Sequence, residues 1–271
     1  MNWKKTGLYA SLFIGAIVFT YPFIWMLFST FKPDGEIGNI ALLPIEWTML
    51  NYEMVFNRIP IGKGFINSLI VTSVVTVSVV IFGSITGYSL SRLKWKGRDT
   101  LFSISLLTMM VPFQITLIPT YILIVKFGLT DNLAGLIIPT MVTAFSILLF
   151  RQSFITVPQD LIDAARLDGC SELGILFRMI LPLSKPAVVT VAILTFVANW
   201  NEVLWPLIVI RDQDLMTMPQ MVALFAVGGG ADASVGAQLA SALLLALPVV
   251  IAYLIFQRHF IESLASTGLK S

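Results

Sequence analysis

Long stretches without a charged residue divide the chain into regular segments. Five such stretches hold 19 to 28 residues each, and they lie between Lys5 and Lys32, Lys63 and Arg92, Asp99 and Lys126, Asp131 and Arg151, and Asp232 and Arg258. A sixth stretch, from Pro186 to Ile210, contains Glu202 as its only charged residue. About 20 apolar residues cross the hydrocarbon core of a membrane as a helix. The pattern therefore predicts six transmembrane helices, near residues 8–31, 66–91, 101–125, 132–150, 186–210 and 235–256.

The composition agrees with this interpretation. Of the 271 residues 12% are charged, about half the share in ordinary soluble domains, and the mean hydropathy is +0.88. The first apolar stretch is too long for a secretory signal peptide and no small-residue cleavage site ends it, so we expect an uncleaved helix. The loops are too short for a separate globular domain. We therefore predict one all-α polytopic membrane domain over residues 1–271.

The distribution of basic residues indicates the orientation of the helices. With the N-terminus inside the cell, the inner segments carry twelve Lys and Arg residues and the outer segments carry five. Because basic residues concentrate in cytoplasmic loops, we expect both termini to be cytoplasmic. On the outer side, residues 47–56 have the aromatic content of a short surface helix. Residues 215–227 are too few to span and contain Pro219, which favours an interfacial or re-entrant segment.

The longest inner loop, residues 151–185, is charged but has a helical pattern. Thr156 and Gln159 have the spacing of a capping box, with Pro158 in the first turn, so a helix should begin near Val157.

Gly169 interrupts this pattern and separates two predicted helices. The second helix carries an apolar stripe and is limited by Pro182 and Pro186 before the fifth span. An ordinary amphipathic helix pair packed under the membrane bundle would have the same stripe. Spacing alone therefore leaves a structural and a functional interpretation of the loop open.

The sequence DAARLDGCSELGILFRMILPLSKP, residues 163–186, resembles a known motif. It is similar to the EAA loop of the membrane subunits of ATP-binding-cassette importers, and the matching positions are Asp163, Ala164, Ala165, Gly169, Met179, Leu181 and Pro182. Asp163 replaces the Glu of that motif and Met179 replaces an Ile, while the spacing is intact. The segments NYEMVF, MVPFQITLIPTY, NWNEVLWPL and FQRHFIESLASTGLKS resemble the six-span branch of maltose-type sugar permeases.

This resemblance implies a function and a set of partners. The chain would be a permease subunit of a carbohydrate importer in a prokaryotic cytoplasmic (inner) membrane. It would assemble with a homologous second permease, two copies of a cytoplasmic ATPase that uses ATP and Mg²⁺, and an extracytoplasmic solute-binding protein. No nucleic-acid partner is implied. The inner loop would form a coupling helix that docks on the ATPase through Asp163, Ala164, Ala165, Asp168, Gly169 and Pro182.

The residue types suit this task. Paired alanines at 164 and 165 let a partner surface approach closely, and Asp163 offers a carboxylate to a basic group. Gly169 permits a backbone turn that a side chain would hinder. The chain itself lacks a Walker A sequence, so ATP hydrolysis would belong to the separate ATPase subunit.

We expect no catalytic residues, metal or cofactor in this chain. The single cysteine, Cys170, excludes an internal disulfide and leaves too few thiols for a cysteine-based zinc site. The spans contain no HExxH or GxSxG motif and no paired aspartates, which disfavours an intramembrane enzyme.

Candidates for the transport pathway are fewer. Glu202 is the only ionisable residue within a span, and Asn199 lies on the same helical face, so both are candidate lining residues. A position of Glu202 at the outer interface or between helices is an equal alternative. Pro112 and Pro119 would bend the third span and free carbonyls near Gln114 and Thr116, which suits either a pathway or plain packing. An ion-gradient-driven secondary transporter is the rival function, but it would need coupling carboxylates or inverted repeats.

Overall fold

A computed structural model describes residues 3–39, 41–228 and 234–268, with side chains at 5, 7–39, 41–228 and 234–254. Regular structure in these ranges is helical. The α-helices are α1 Trp3–Ser29, α2 Asp34–Ile37, α3 Leu50–Arg58, α4 Ile61–Arg92, α5 Arg98–Thr108, α6 Phe113–Lys126, α7 Leu133–Ile137, α8 Ala144–Ile155, α9 Gln159–Leu167, α10 Glu172–Ile175, α11 Leu181–Leu183, α12 Lys185–Trp200, α13 Leu204–Val209, α14 Met218–Val227 and α15 Val235–Gly268. Short 3₁₀ segments lie at Ile138–Thr140 and Gln213–Leu215, and a π-helical turn lies at Leu176–Ile180.

Three uninterrupted helices and three bent pairs are long and apolar enough to cross a membrane. The uninterrupted spans are Gly7–Ser29, Ile61–Arg92 and Val235–Leu254. The pairs are Arg98–Thr108 with Phe113–Lys126, Leu133–Thr140 with Ala144–Ile155, and Glu172–Leu183 with Lys185–Trp200, bent by 103°, 43° and 87°. The predicted all-α membrane fold is confirmed, and six spans result when each pair counts as one.

The third span departs most from a continuous helix. The residues before Pro112 leave the helix, and α6 begins directly after this proline. Proline lacks a backbone N–H and disfavours helical backbone in the residue before it, which explains the position of the break. Pro119, also predicted to bend this span, lies inside α6, which continues unbroken from Phe113 to Lys126.

The fifth span ends earlier than predicted. α12 ends at Trp200 instead of near residue 210, and the short helix α13 follows. The Glu202 carboxylate accepts hydrogen bonds from the backbone N–H groups of Leu204 (2.8 Å) and Trp205 (3.1 Å). A carboxylate that binds free N–H groups stabilises a helix start, so Glu202 favours a new helix at this point.

The chain divides into two compact units. The first comprises Met1–Gly62 and Met221–Val250, and the second comprises Lys63–Gln220 and Ile251–Ser271. In the first unit, buried Asn51 donates hydrogen bonds of 2.9 Å to the carbonyls of Thr30 and Lys32. Asn51 lies on α3, a helix that matches the one predicted near residues 47–56, and it fastens this helix to the end of α1.

The second unit contains a continuous apolar core that includes residues of α4, α8 and the inner loop. Two glycines of α4 lie directly against α8. A Cβ atom added at Gly83 would lie 2.5 Å from Ser146 Oγ, and one at Gly87 would lie 2.8 Å from Phe150 Cβ. Small residues permit this close approach of helix backbones in membrane proteins. The contact fixes the C-terminal end of α4 beside the loop that follows α8.

Candidate coupling site and solute cavity

The first helix of the inner loop is α9, and it begins later than predicted. Pro158 precedes it, and no side chain caps its first turn. The expected capping box is wrong, because the Thr156 hydroxyl donates to the Ser153 carbonyl (2.8 Å) and the Gln159 amide donates to Asp163 Oδ1 (3.0 Å).

The predicted break at Gly169 is confirmed. Its φ of 79° lies in the left-handed region that favours glycine. The Gly169 N–H donates to the Arg166 carbonyl and the Cys170 N–H donates to the Ala165 carbonyl, both at 3.0 Å. These two bonds form a Schellman motif that ends α9. The Ser171 hydroxyl then accepts a bond from the Gly174 N–H (3.2 Å) and caps the next helix.

One side of α9 is anchored and the other is exposed. Ile162 is fully buried in the core of the second unit, together with Phe154 and Ile175. Of the five predicted docking residues in or next to α9, Ala165 is half-buried and four are exposed, namely Asp163, Ala164, Asp168 and Gly169. Leu167 lies among them with 89% of its surface exposed. Leu167 was given no role from the sequence, although a leucine directly before Asp168 in a charged loop was a signal.

Pro182 serves a different element. It lies, exposed, in the last turn of the helical segment 172–183. Because it has no N–H, it cannot complete an α-helical bond. The π-helical turn directly before it, in which the Leu181 N–H donates to the Leu176 carbonyl, accommodates this loss.

A series of side-chain hydrogen bonds ties α9 to its neighbours. Arg166 Nε donates to Glu172 Oε1 (2.8 Å), and its terminal nitrogens donate to Glu172 Oε2 (3.2 Å) and Asp163 Oδ1 (3.0 Å). The bond to Glu172 is the main cause that raises the pKa of Arg166 above its ordinary value. Asp163, predicted to offer its carboxylate to a partner, thus has one oxygen engaged within the chain.

Both ends of this series reach α4. The Tyr88 hydroxyl donates to Glu172 Oε2. One turn further along α4, Arg92 donates to Gln159 Oε1 (2.9 Å) and to the Phe154 carbonyl (3.0 Å). The six side chains are called the coupling ring below: Tyr88, Arg92, Gln159, Asp163, Arg166 and Glu172. The ring links the C-terminal end of α4 to both helices of the loop.

A cavity of about 590 Å³ lies elsewhere in the same unit. It is lined by parts of α4, α6, α7, α12 and α13, and by seven serine and threonine side chains. Asn199 and Glu202 are among the lining residues, whereas Gln114 is exposed on α6 and is not. Trp205 also lines the cavity; its ring N–H donates to the Gly135 carbonyl (3.1 Å), and its ring packs edge-on against Phe113 at 6.0 Å.

Comparisons with known proteins agree with these features. The profile of a family described as "Binding-protein-dependent transport system inner membrane component" matches residues 79–265. The chain is 35% identical to the arabinooligosaccharides transport system permease protein AraQ of Bacillus subtilis, over 94% of this chain and 92% of that protein. It is 30% identical to the diacetylchitobiose uptake system permease protein NgcG of Streptomyces coelicolor, over 95% of this chain and 86% of that protein.

A solved structure is also similar. A chain of a bacterial ABC transporter involved in the import of the acidic polysaccharide alginate superposes with a TM-score of 0.81 at 25% identity, covering 95% of this chain and 97% of that chain. The extent of the family match and the identity to full-length permeases show that this chain belongs to the family of inner-membrane components of binding-protein-dependent transport systems.

Proposed function

We propose that the chain is the permease subunit of a carbohydrate importer whose energy comes from a separate cytoplasmic ATPase. The exposed surface of α9, anchored by Ile162 and the coupling ring, is the observation that carries this proposal. Family membership favours this function over the ion-gradient-driven transporter considered above, because the family profile describes binding-protein-dependent transport.

The docking surface on the ATPase side consists of Ala164, Leu167, Asp168 and Gly169. A leucine with 89% of its surface exposed is a suitable anchor for a partner groove. Its full burial would contribute about 1.5–3 kcal/mol. Ala164 next to it allows close approach, and the second oxygen of Asp163 remains for a basic group of the partner.

The coupling ring gives a route for motion. When the ATPase moves α9, the ring carries the displacement to α4 and to the helix that begins at Glu172, so these elements turn as rigid bodies. Rigid-body rotation would expose the pathway alternately on the two sides of the membrane. The complete assembly would contain a second permease, two ATPase subunits with ATP and Mg²⁺, and an external solute-binding protein.

Carbohydrate as the solute is supported by two observations. The relatives named above are described as permeases for arabinooligosaccharides and diacetylchitobiose. The cavity with Asn199 and Glu202 combines hydroxyl and amide groups with the aromatic rings of Phe113 and Trp205. Polar groups among aromatic and apolar side chains are typical of ligand pockets.

Retention of the ATPase in the purified complex tests the proposed function. In Leu167→Asp a charge replaces the apolar anchor, and we expect the affinity for the ATPase to fall by about ten- to a hundredfold. Leu43→Asp is the matched control, because Leu43 is also an exposed leucine but lies in the predicted outer loop. If both variants retain the ATPase as the native chain does, α9 does not dock through this surface.

The variant Asp163→Asn distinguishes a contact of Asp163 with the ATPase from its contact with Arg166 inside the coupling ring. The pair with Arg166 is partly exposed, with 55% of the Asp163 side chain accessible, so its loss should change stability by about 1 kcal/mol or less. A larger, salt-dependent loss of the ATPase would indicate a direct contact between Asp163 and the partner.

A further inference from the structure

The size and lining of the cavity that contains Asn199 and Glu202 indicate which class of solute could bind in it. Its volume of about 590 Å³ lies within the range of roughly 300–1,000 Å³ that is typical of small-molecule sites. Its wall combines segments that are far apart in the sequence, from Ser68 on α4 to Thr217 before α14. A cavity assembled in this way depends on the fold of the whole unit.

Two hydroxyls at the cavity wall have no hydrogen-bond partner among the described residues. Thr72 is 1% exposed and Thr217 is 4% exposed, and both line the cavity. Buried hydroxyls are normally paired, because an unpaired one keeps the full cost of leaving water. Rotation of a threonine about χ1 exchanges its methyl and hydroxyl groups, so each residue can present the hydroxyl to a solute that reaches the wall.

The charged groups in the wall of the cavity are of one sign only, negative. Among the described residues that line the cavity, Glu202 is the only ionisable one, and none of them is Lys, Arg or His. Its Oε1 atom is held by the N–H groups of Leu204 and Trp205, which fixes the position of the carboxylate. A fixed carboxylate accepts hydrogen bonds from sugar hydroxyls but repels an anionic solute, and this repulsion is strong where water is scarce.

We propose that this subunit contacts the solute directly in this cavity, and that Thr72, Thr217 and Glu202 select neutral, hydroxyl-rich solutes over acidic ones. The inference rests on the proposed transport function and narrows it. It distinguishes this chain from the structurally similar chain, whose transporter is involved in the import of an acidic polysaccharide. Neutral disaccharides are the ligand class that fits.

Direct binding to the assembled importer tests the inference. The complex of both permeases and the ATPase is placed in nanodiscs without the solute-binding protein, so that its own sugar site does not contribute. Arabinobiose, diacetylchitobiose and galactobiose are titrated up to tens of millimolar, and tryptophan emission, to which Trp205 contributes, reports binding. Digalacturonate serves as the acidic counterpart of galactobiose. We expect saturable binding of at least one neutral disaccharide, and at least about tenfold weaker binding of digalacturonate.

Three variants locate the site. Thr72→Val keeps the shape but removes the hydroxyl, and should weaken sugar binding by about three- to tenfold. Because that hydroxyl has no hydrogen-bond partner in the described part of the chain, the thermal stability of the variant should not fall. Thr76→Val is the matched control, since the Thr76 hydroxyl on α4 is also buried with no partner among the residues that the structure describes, but Thr76 does not line the cavity. Glu202→Gln keeps a side-chain oxygen that accepts hydrogen bonds at the start of α13 but removes the negative charge. It should therefore reduce the difference in affinity between galactobiose and digalacturonate.

The outcomes are distinct. The inference would be overturned by any of three results: none of the neutral disaccharides binds, digalacturonate binds with the same affinity as galactobiose, or Thr72→Val and Thr76→Val change the sugar affinity equally. ATPase retention is scored on the same preparations. If the ATPase stays bound while no sugar binds, only the cavity assignment fails; if the ATPase never copurifies, the proposed function fails as well.

Discussion

Replacement of Tyr88 by Phe is the sharpest test of the coupling ring. The variant removes one oxygen and leaves the ring of Tyr88 in its buried position on α4. The hydroxyl donates to Glu172 Oε2, the same atom that accepts a bond from Arg166. The change therefore breaks the link between α4 and the helix that begins at Glu172, without a loss of volume in the core.

The expected magnitude follows from the surroundings of this bond. Hydrogen bonds to charged groups contribute roughly 1.5–3 kcal/mol. Here 42% of the Glu172 side chain is exposed, so water can replace part of the lost bond, and Arg166 still pairs with the carboxylate. We therefore expect the free energy of unfolding to fall by about 1–1.5 kcal/mol. Binding-protein-stimulated ATP hydrolysis should fall as well, while basal ATP hydrolysis is retained.

The assay is a double-mutant cycle on the purified importer. Unfolding is measured by titration with a denaturing detergent for the native chain, Tyr88→Phe, Glu172→Gln and the double variant. Tyr121→Phe is the control, because Tyr121 also packs against the core but its hydroxyl makes no hydrogen bond to another described residue. A coupling energy below about 0.3 kcal/mol between Tyr88 and Glu172, or unchanged stimulation of ATP hydrolysis, would refute the role of the ring.

Two further predictions concern the inner loop and the orientation. Gly169→Val should impair sugar-stimulated ATP hydrolysis while the amount of protein in the membrane stays normal, because a φ of 79° strains a β-branched residue although no atom lies within 4 Å of an added Cβ. Asparagine tolerates this backbone conformation, so Gly169→Asn should lose less of the stimulated hydrolysis. Equal losses in the two variants would contradict the argument. In a Cys170→Ala background, Lys96→Cys should be shielded from impermeant thiol reagents in intact cells and Glu46→Cys should react. Labelling of position 96 from outside the cell would show that the orientation expected from the basic residues is wrong.

Several features could be predicted from the sequence because they depend on local or compositional signals. The number of spans follows from the lengths of uncharged stretches, which the thickness of the bilayer fixes. The break at Gly169 follows from the backbone freedom of glycine next to a helical pattern. The bend near Pro112 follows from the missing N–H of proline. Each of these signals acts within one segment.

The remaining features depend on contacts between distant segments. Nothing in the local sequence pairs Tyr88 with Glu172, because this contact requires α4 and the inner loop to lie side by side. The same limit applies to Asn199 and Gln114, which looked equally suited to a pathway although only Asn199 lines the cavity. For Glu202, the sequence left two interpretations open, a position in the transport pathway and a position at the outer interface or between helices. In the structure it both lines the cavity and caps α13.

Helix α4 connects the two sites physically. Thr72 lies at the cavity wall and Tyr88 in the coupling ring, and their separation along the helix is about 24 Å at roughly 1.5 Å per residue. The segment between them contains no proline, and its glycines 83 and 87 pack tightly against α8 instead of marking a hinge. A helix without a hinge transmits a rotation of one end to the other. A movement of α9 on the ATPase would therefore shift the Thr72 wall of the cavity, and solute contact there would in turn bias the position of α9.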